Sequence, residues 1–164
     1  VHAEALLANN PNTIFLTGDL REPEELLGRL ELRDHLDFTK PIAMLLVAVL
    51  HFIEDDQQAY GTVKTLCDAL PSGSYLAISH ALKDESTDQA SAVYQRGGLS
   101  GRPRTEEEIR RFFDGLTPVG CGLVHISEWT APDSSLDGGG NVVSLHIPKT
   151  AKLPGMCGIA RIDR

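Results

Sequence analysis

His51 follows nine consecutive apolar residues, 42–50, and precedes Phe52, Ile53 and the acidic cluster Glu54, Asp55 and Asp56. An imidazole with an ordinary pKa near 6.5 can take a proton from a hydroxyl or an amine. A histidine that ends a buried strand is well placed to do so, because open α/β sheets bind ligands just outside the carboxyl ends of their strands. His51 is open to three readings: general base, wall of a binding pocket, or structural histidine bonded to a backbone carbonyl. His80 ends a second apolar stretch, 74–80, and faces the same sheet edge, where it could meet a second substrate. The three adjacent carboxylates look like metal ligands, but their place at a helix start fits capping and pairing with the helix dipole better. His125 and His146 show no ligand spacing, and Ser79 lacks the Gly-x-Ser-x-Gly elbow of serine hydrolases.

The elements that would carry these residues read as an alternation of helix and strand. Nine apolar residues are too few to cross a bilayer, which takes about 20, and suit a strand buried on both faces. Residues 13–17 have the β-branched and aromatic content of a strand closing at Gly18 and Asp19. Pro23 opens a short helix with Glu24 and Glu25 in its first turn. Ala59, Val63, Leu66 and Leu70 recur at helical spacing and stop at Pro71-Ser72-Gly73. Residues 84–104 are polar and glycine-rich, with a helix around 89–95 followed by a flexible connection, and Tyr94, Arg96, Arg102 and Arg104 there read either as part of a mobile surface loop or as residues that shape specificity. Arg21 reads as a solvated charge. Thr105 to Glu108 form a capping box ahead of a helix through Ile109, Phe112 and Phe113, with Gly115 at its end. Residues 122–129 and 141–147 alternate as strands, and 148–164 show little periodicity. An α/β fold in a single domain, 1–164, follows.

A formal charge of −8 argues against nucleic acid and anionic membrane as partners. Three cysteines without a CxxC pair fit free thiols in a reducing, cytoplasmic compartment. The chain starts at Val1 within a helix-like pattern, which reads as the later part of a longer protein.

Five phrases in register carry a resemblance: GDLREPEELL, LDFTKPIAMLLVAVLHFIEDD, LPSGSYLAISH, RPRTEEEIRRFFDGL and GLVHISEW. Together they resemble the S-adenosyl methyltransferase family, once catalogued only as a domain of unknown function, over nearly all of residues 1–129 and more loosely beyond. The resemblance implies a Rossmann-like class I methyltransferase sheet closed by an antiparallel strand pair. It implies S-adenosylmethionine as cofactor and methyl transfer to an unidentified small-molecule acceptor. Asp19 and Leu20 match the place where the family fold meets adenine, although Asp19 could simply cap the helix that follows. Ala48, Val49 and Leu50 match the strand edge whose carbonyls could receive the cofactor's ammonium group. Phe52 could pack on adenine or substrate, or in the core. The family's first two strands, with their glycine-rich loop and acidic strand end, have no counterpart here, and the family sheet order places them between the strands at Ile14 and Ile42. Two alternatives therefore stand beside the enzyme: a module that binds the cofactor without turnover, and a non-catalytic remnant acting in protein interaction. Which acceptor is methylated and the oligomeric state are not legible.

Overall fold

The computed structural model describes residues 10–83, 101–129 and 154–163. Helix α1, Pro23–Gly28, starts on its proline, and α2, Leu30–His35, follows after Arg29 turns extended. Strand β1, Ala43–Val47, leads through a 3-10 turn, Leu50–Phe52, into α3, Asp56–Asp68. Asp55 caps α3 by accepting the Gln58 N–H at 2.7 Å, so part of the acidic cluster serves the helix start. Strand β2, Tyr75–Ala81, lies parallel to β1, with Ala43 opposite Tyr75 and Val47 opposite Ser79. Both halves of the capping box form at Thr105 and Glu108, opening α4, Glu106–Arg110, which tightens into a 3-10 turn at Arg111–Phe113. Gly115 follows at φ +78°, a left-handed value that suits glycine at a helix end.

Strands β3, Thr117–Pro118, and β4, Val124–His125, are two-residue pieces, each antiparallel to β5, Gly155–Arg161. β5 also runs antiparallel to β2 along its whole length. The order is β1-β2-β5-β3, with β4 beside β5. A parallel β1–α3–β2 unit closed by antiparallel strands is the α/β arrangement expected.

The core gathers Leu46, Leu50 and Ile53 with Ala59, Val63, Leu66 and Leu70 of the α3 stripe. Leu76, Ile78, Ile109, Phe112, Met156 and Ile162 complete it. Burying one such side chain contributes roughly 1.5–3 kcal/mol. Among the described residues no helix is long and apolar enough to cross a membrane. Cys67, Cys121 and Cys157 are free thiols.

Four expectations need correction. β1 is not buried on both faces: Leu46 enters the core, while Leu45 and Val47 are 65% and 58% exposed. Burial on both faces needs a layer on each, and β1 stands at the end of the described sheet. Residues 13–17 form no strand; Ile14 and Phe15 are exposed, and without a neighbour to complete its ladder the segment stays irregular. The strand expected at 122–129 shrinks to Val124–His125 and gives way to a 3-10 turn at Ile126–Glu128. The tail, expected to show little periodicity, supplies β5, which like β2 has partners on both sides. Gly158 is needed there, since a Cβ would lie 3.2 Å from the Gly122 carbonyl oxygen and 3.3 Å from the Phe113 ring. The helix expected at 89–95, the strand at 141–147, Tyr94, Arg96 and His146 lie outside the described residues.

Candidate active site at the tip of β1

The chain leaves β1 through a strained residue. Ala48 has φ +53° and is the one non-glycine at positive φ among the described residues. A left-handed backbone costs an L-residue roughly 1–2 kcal/mol, and such residues persist where the surroundings over-determine them. Here the Ala48 N–H donates to both the backbone carbonyl and the Oγ of Ser79, at 3.1 and 3.0 Å. The bend leaves Val47, Ala48 and Val49 exposed at the strand's carboxyl end. Leu50 anchors the next turn with no exposure, His51 is half-buried, and Phe52 is 46% exposed. The His51 ring sits 4.4 Å from that of Phe52 and 5.6 Å, edge-on, from that of His80.

Beneath this turn lies a residue whose role the sequence did not disclose. Arg104 is fully buried. Its Nη1 donates to the Leu50 carbonyl at 3.2 Å and to His80 Nε2 at 3.0 Å, its Nη2 to the Ile53 carbonyl at 2.8 Å, and its Nε to Asp56 Oδ1 at 3.1 Å. The guanidinium lies 5.5 Å from the centre of the Phe112 ring. Arg102 adds a two-pronged grip on Asp56, at 2.9 and 2.6 Å, and its backbone N–H donates to the His51 carbonyl at 2.7 Å. Both arginines therefore pack against the turn, where a mobile surface loop or a specificity-shaping segment was expected. The one available cue is their position just ahead of the Thr105 cap, which ties residues 102–104 to an ordered helix.

Because guanidinium can only donate, His80 Nε2 must accept, and its Nδ1–H then donates to the Ala81 carbonyl at 2.8 Å. Burial, with the charges of Arg104 and His51 adding to it, pushes the His80 pKa down to about 4. With both ring nitrogens engaged, His80 has none left for a second substrate, which corrects the acceptor-side role expected of it. Burial and then the Arg104 charge also lower the His51 pKa below its ordinary value. His51 Nδ1 is buried without a partner among the described residues. Both imidazoles are therefore neutral at pH 7.

Asp19 stands apart from this network. Arg21 grips its carboxylate through Nε at 2.9 and 3.0 Å, and the Arg21 N–H donates to Oδ1 at 2.9 Å. Those hydrogen bonds hold the Asp19 pKa down to about 2. Arg21 remains a solvent-exposed charge while paired with Asp19, and the α1 N-cap is Glu22, so Asp19 closes its own turn and does not cap the helix. Leu20 packs against the edge of the core. Clefts of about 430 and 410 Å³ open elsewhere, around Tyr60 and Arg111 and around Cys121 and Gly158, and neither is lined by His51, His80, Asp19, Leu20, Phe52 or residues 48–50. No trio of His, Cys, Asp or Glu able to hold a metal ion occurs among the described residues.

The sequence profile of the S-adenosyl methyltransferase family matches residues 1–163. Among solved structures, a DUF574 family protein from Streptomyces avermitilis is 31% identical, with a TM-score of 0.78 over 97% of this chain and 59% of its own. A candidate methyltransferase from Thermobifida fusca is also 31% identical, with a TM-score of 0.78 over 99% of this chain and 59% of its own. The chain therefore spans about three-fifths of the length of these two proteins and shares their Rossmann-like methyltransferase fold. No curated protein matches it.

Proposed function

The chain belongs to the S-adenosyl methyltransferase family, and on that premise we propose that the protein transfers a methyl group from S-adenosylmethionine to a small-molecule acceptor, with the tip of β1 as the cofactor edge. The observation that carries the reading is Ala48, a left-handed alanine held by Ser79 at a strand's carboxyl end. Backbone strain of this kind gathers at ligand-binding sites, and this is the edge where α/β sheets bind ligands. The residues present fit the cofactor. Ala48 and Val49 are exposed and offer backbone carbonyls to an ammonium group, whereas the Leu50 carbonyl is already taken by Arg104 and the Ile53 N–H; Phe52 is exposed beside them. The Asp19 carboxylate, ionised well below pH 7, and Leu20 suit the adenine amine and ring, although Asp19 would share its oxygens with Arg21.

The cofactor, when bound, supplies a methyl group on a sulfonium centre. The protein's share is mainly orientation, because placing two reactants correctly removes much of the barrier. His51, neutral at pH 7, serves as the base where the acceptor must lose a proton, and as the pocket wall where it need not.

Calorimetry of the complete protein with S-adenosylmethionine and S-adenosylhomocysteine, then transfer of radiolabelled methyl into extracted metabolites, tests the reading. Binding of both ligands and labelled product are expected. Asp19→Ala should weaken both ligands, and His51→Ala should lower kcat where the acceptor must lose a proton in the rate-limiting step. Absence of heat with either ligand, together with absence of label transfer, would overturn it.

A further inference from the structure

We infer that Arg104 is a positioning residue for this site: its buried guanidinium clasps the Leu50 and Ile53 carbonyls and the His80 ring, and so sets where His51 and the β1 tip stand. What the tip does rests on the functional reading above; what holds the tip rests on geometry alone.

The turn that carries His51 is pinned in the core by Leu50 and Ile53, on either side of the histidine, and hydrogen bonds set its orientation. Its own backbone closes through Phe52 N–H to the Val49 carbonyl and Ile53 N–H to the Leu50 carbonyl, each at 3.1 Å. Further hydrogen bonds come from residues 102–104. Arg104 takes the carbonyls at 50 and 53, on either side of His51, and the Arg102 N–H takes the His51 carbonyl itself. Gly101 runs so close that a Cβ there would meet His51 Cδ2 and the His51 carbonyl oxygen at 3.5 Å. Arg104 is in turn immobilised: its N–H donates to the Ala81 carbonyl at 3.1 Å, and its carbonyl accepts the Lys83 N–H at 2.8 Å. Asp56, in the first turn of α3, balances its charge and is itself held by Arg102. The guanidinium thus links the end of β2, the start of α3 and the turn between β1 and α3.

Stability alone does not account for this choice of residue. Packing of similar volume with apolar side chains is often as stable as a buried ion pair or more so. What an apolar side chain cannot do is aim several donors, in one plane, at two carbonyls, an imidazole and a carboxylate. Lysine cannot either, since its ammonium is a compact point charge.

The test is Arg104→Lys and Asp56→Asn in the complete protein, each read in two ways: proton–carbon NMR of the His51 ring across pH without cofactor, and calorimetry with S-adenosylhomocysteine at a temperature where the variant is folded. In Arg104→Lys the His51 resonances should shift and titrate nearer the ordinary histidine value, with at least tenfold weaker ligand binding. Asp56→Asn, which frees the guanidinium from its carboxylate, should shift the His51 resonances and weaken ligand binding by less, and it carries the test should Arg104→Lys not fold. A lower melting temperature with His51 titration and ligand affinity both unchanged is the result of a merely structural role, and it overturns the proposal. If the unaltered protein gives no heat with the ligand while His51 still shifts in the variants, the functional reading fails and the positioning role stands.

Discussion

Acid should unload His80 from the Arg104 network, and the size of the effect can be worked out. The ring is 2% exposed, its Nε2 accepts from a cation, and its pKa is pushed from 6.5 down to about 4. Between those values the folded protein binds fewer protons than the unfolded chain. The contribution is therefore fully present above about pH 6.5 and is lost as pH falls toward about 4. A lowering of this size corresponds to about 3 kcal/mol over the whole window, and proton linkage between the two values removes about 2 kcal/mol of it by pH 5. For a domain with about 5–15 kcal/mol in total, that is a large share. Denaturant unfolding at pH 7 and pH 5 would measure it, comparing the unaltered protein with His80→Gln, which cannot titrate. His51 and the carboxylates titrate in both proteins and largely cancel in the difference. The unaltered protein should lose about 2 kcal/mol more than the variant on acidification. Equal losses would refute the reasoning, because they would mean that His80 takes its proton as readily inside as outside.

Three further outcomes follow from the packing. Arg104→Met should lower stability by about 1–3 kcal/mol, because the Ile53 carbonyl and the buried His80 Nε2 lose their donor while Asp56 keeps Arg102, a fall in Tm of roughly 2–12 °C measurable by scanning calorimetry. Gly158→Ala should cost about 1–3 kcal/mol by crowding Gly122, Leu123 and Phe113, whereas Gly28→Ala, with open space around it, should stabilise by up to about 1 kcal/mol; chemical denaturation separates the two. Ala48→Val should destabilise by at least about 1 kcal/mol, since a β-branched residue tolerates a left-handed backbone poorly, and Ala48→Gly should not; S-adenosylhomocysteine affinity, read by calorimetry, should fall in the valine variant.

What was legible in the sequence is what local physics decides. The α3 stripe, its Asp55 cap and the Thr105–Glu108 box depend on spacings of three and four residues, and each stands where its pattern puts it. β1 and β2 were legible from apolar runs, though the exposed face of β1 was not, because burial depends on what lies across from a strand. β5 escaped notice because its alternate buried positions are Met156, Gly158 and Ala160, two of them too small to read as an apolar stripe, and Gly158 stands where a Cβ would crowd its neighbours. Residues 13–17 had strand composition and lacked a partner, and composition does not supply one. At the site, Ala48, Leu50, His51 and Phe52 share one turn as their adjacency implied. Arg104 was hidden because its partners at 50, 53, 56 and 80 lie 24 to 54 residues away in sequence.

The central claim is that the β1 tip is a cofactor edge, and the most direct measurement is amide NMR of the complete protein titrated with S-adenosylhomocysteine. Saturable shifts concentrated at residues 48–52, with a second group at Asp19 and Leu20, are expected. Shifts gathered instead around Tyr60 and Arg111, or none at saturating ligand, would contradict it.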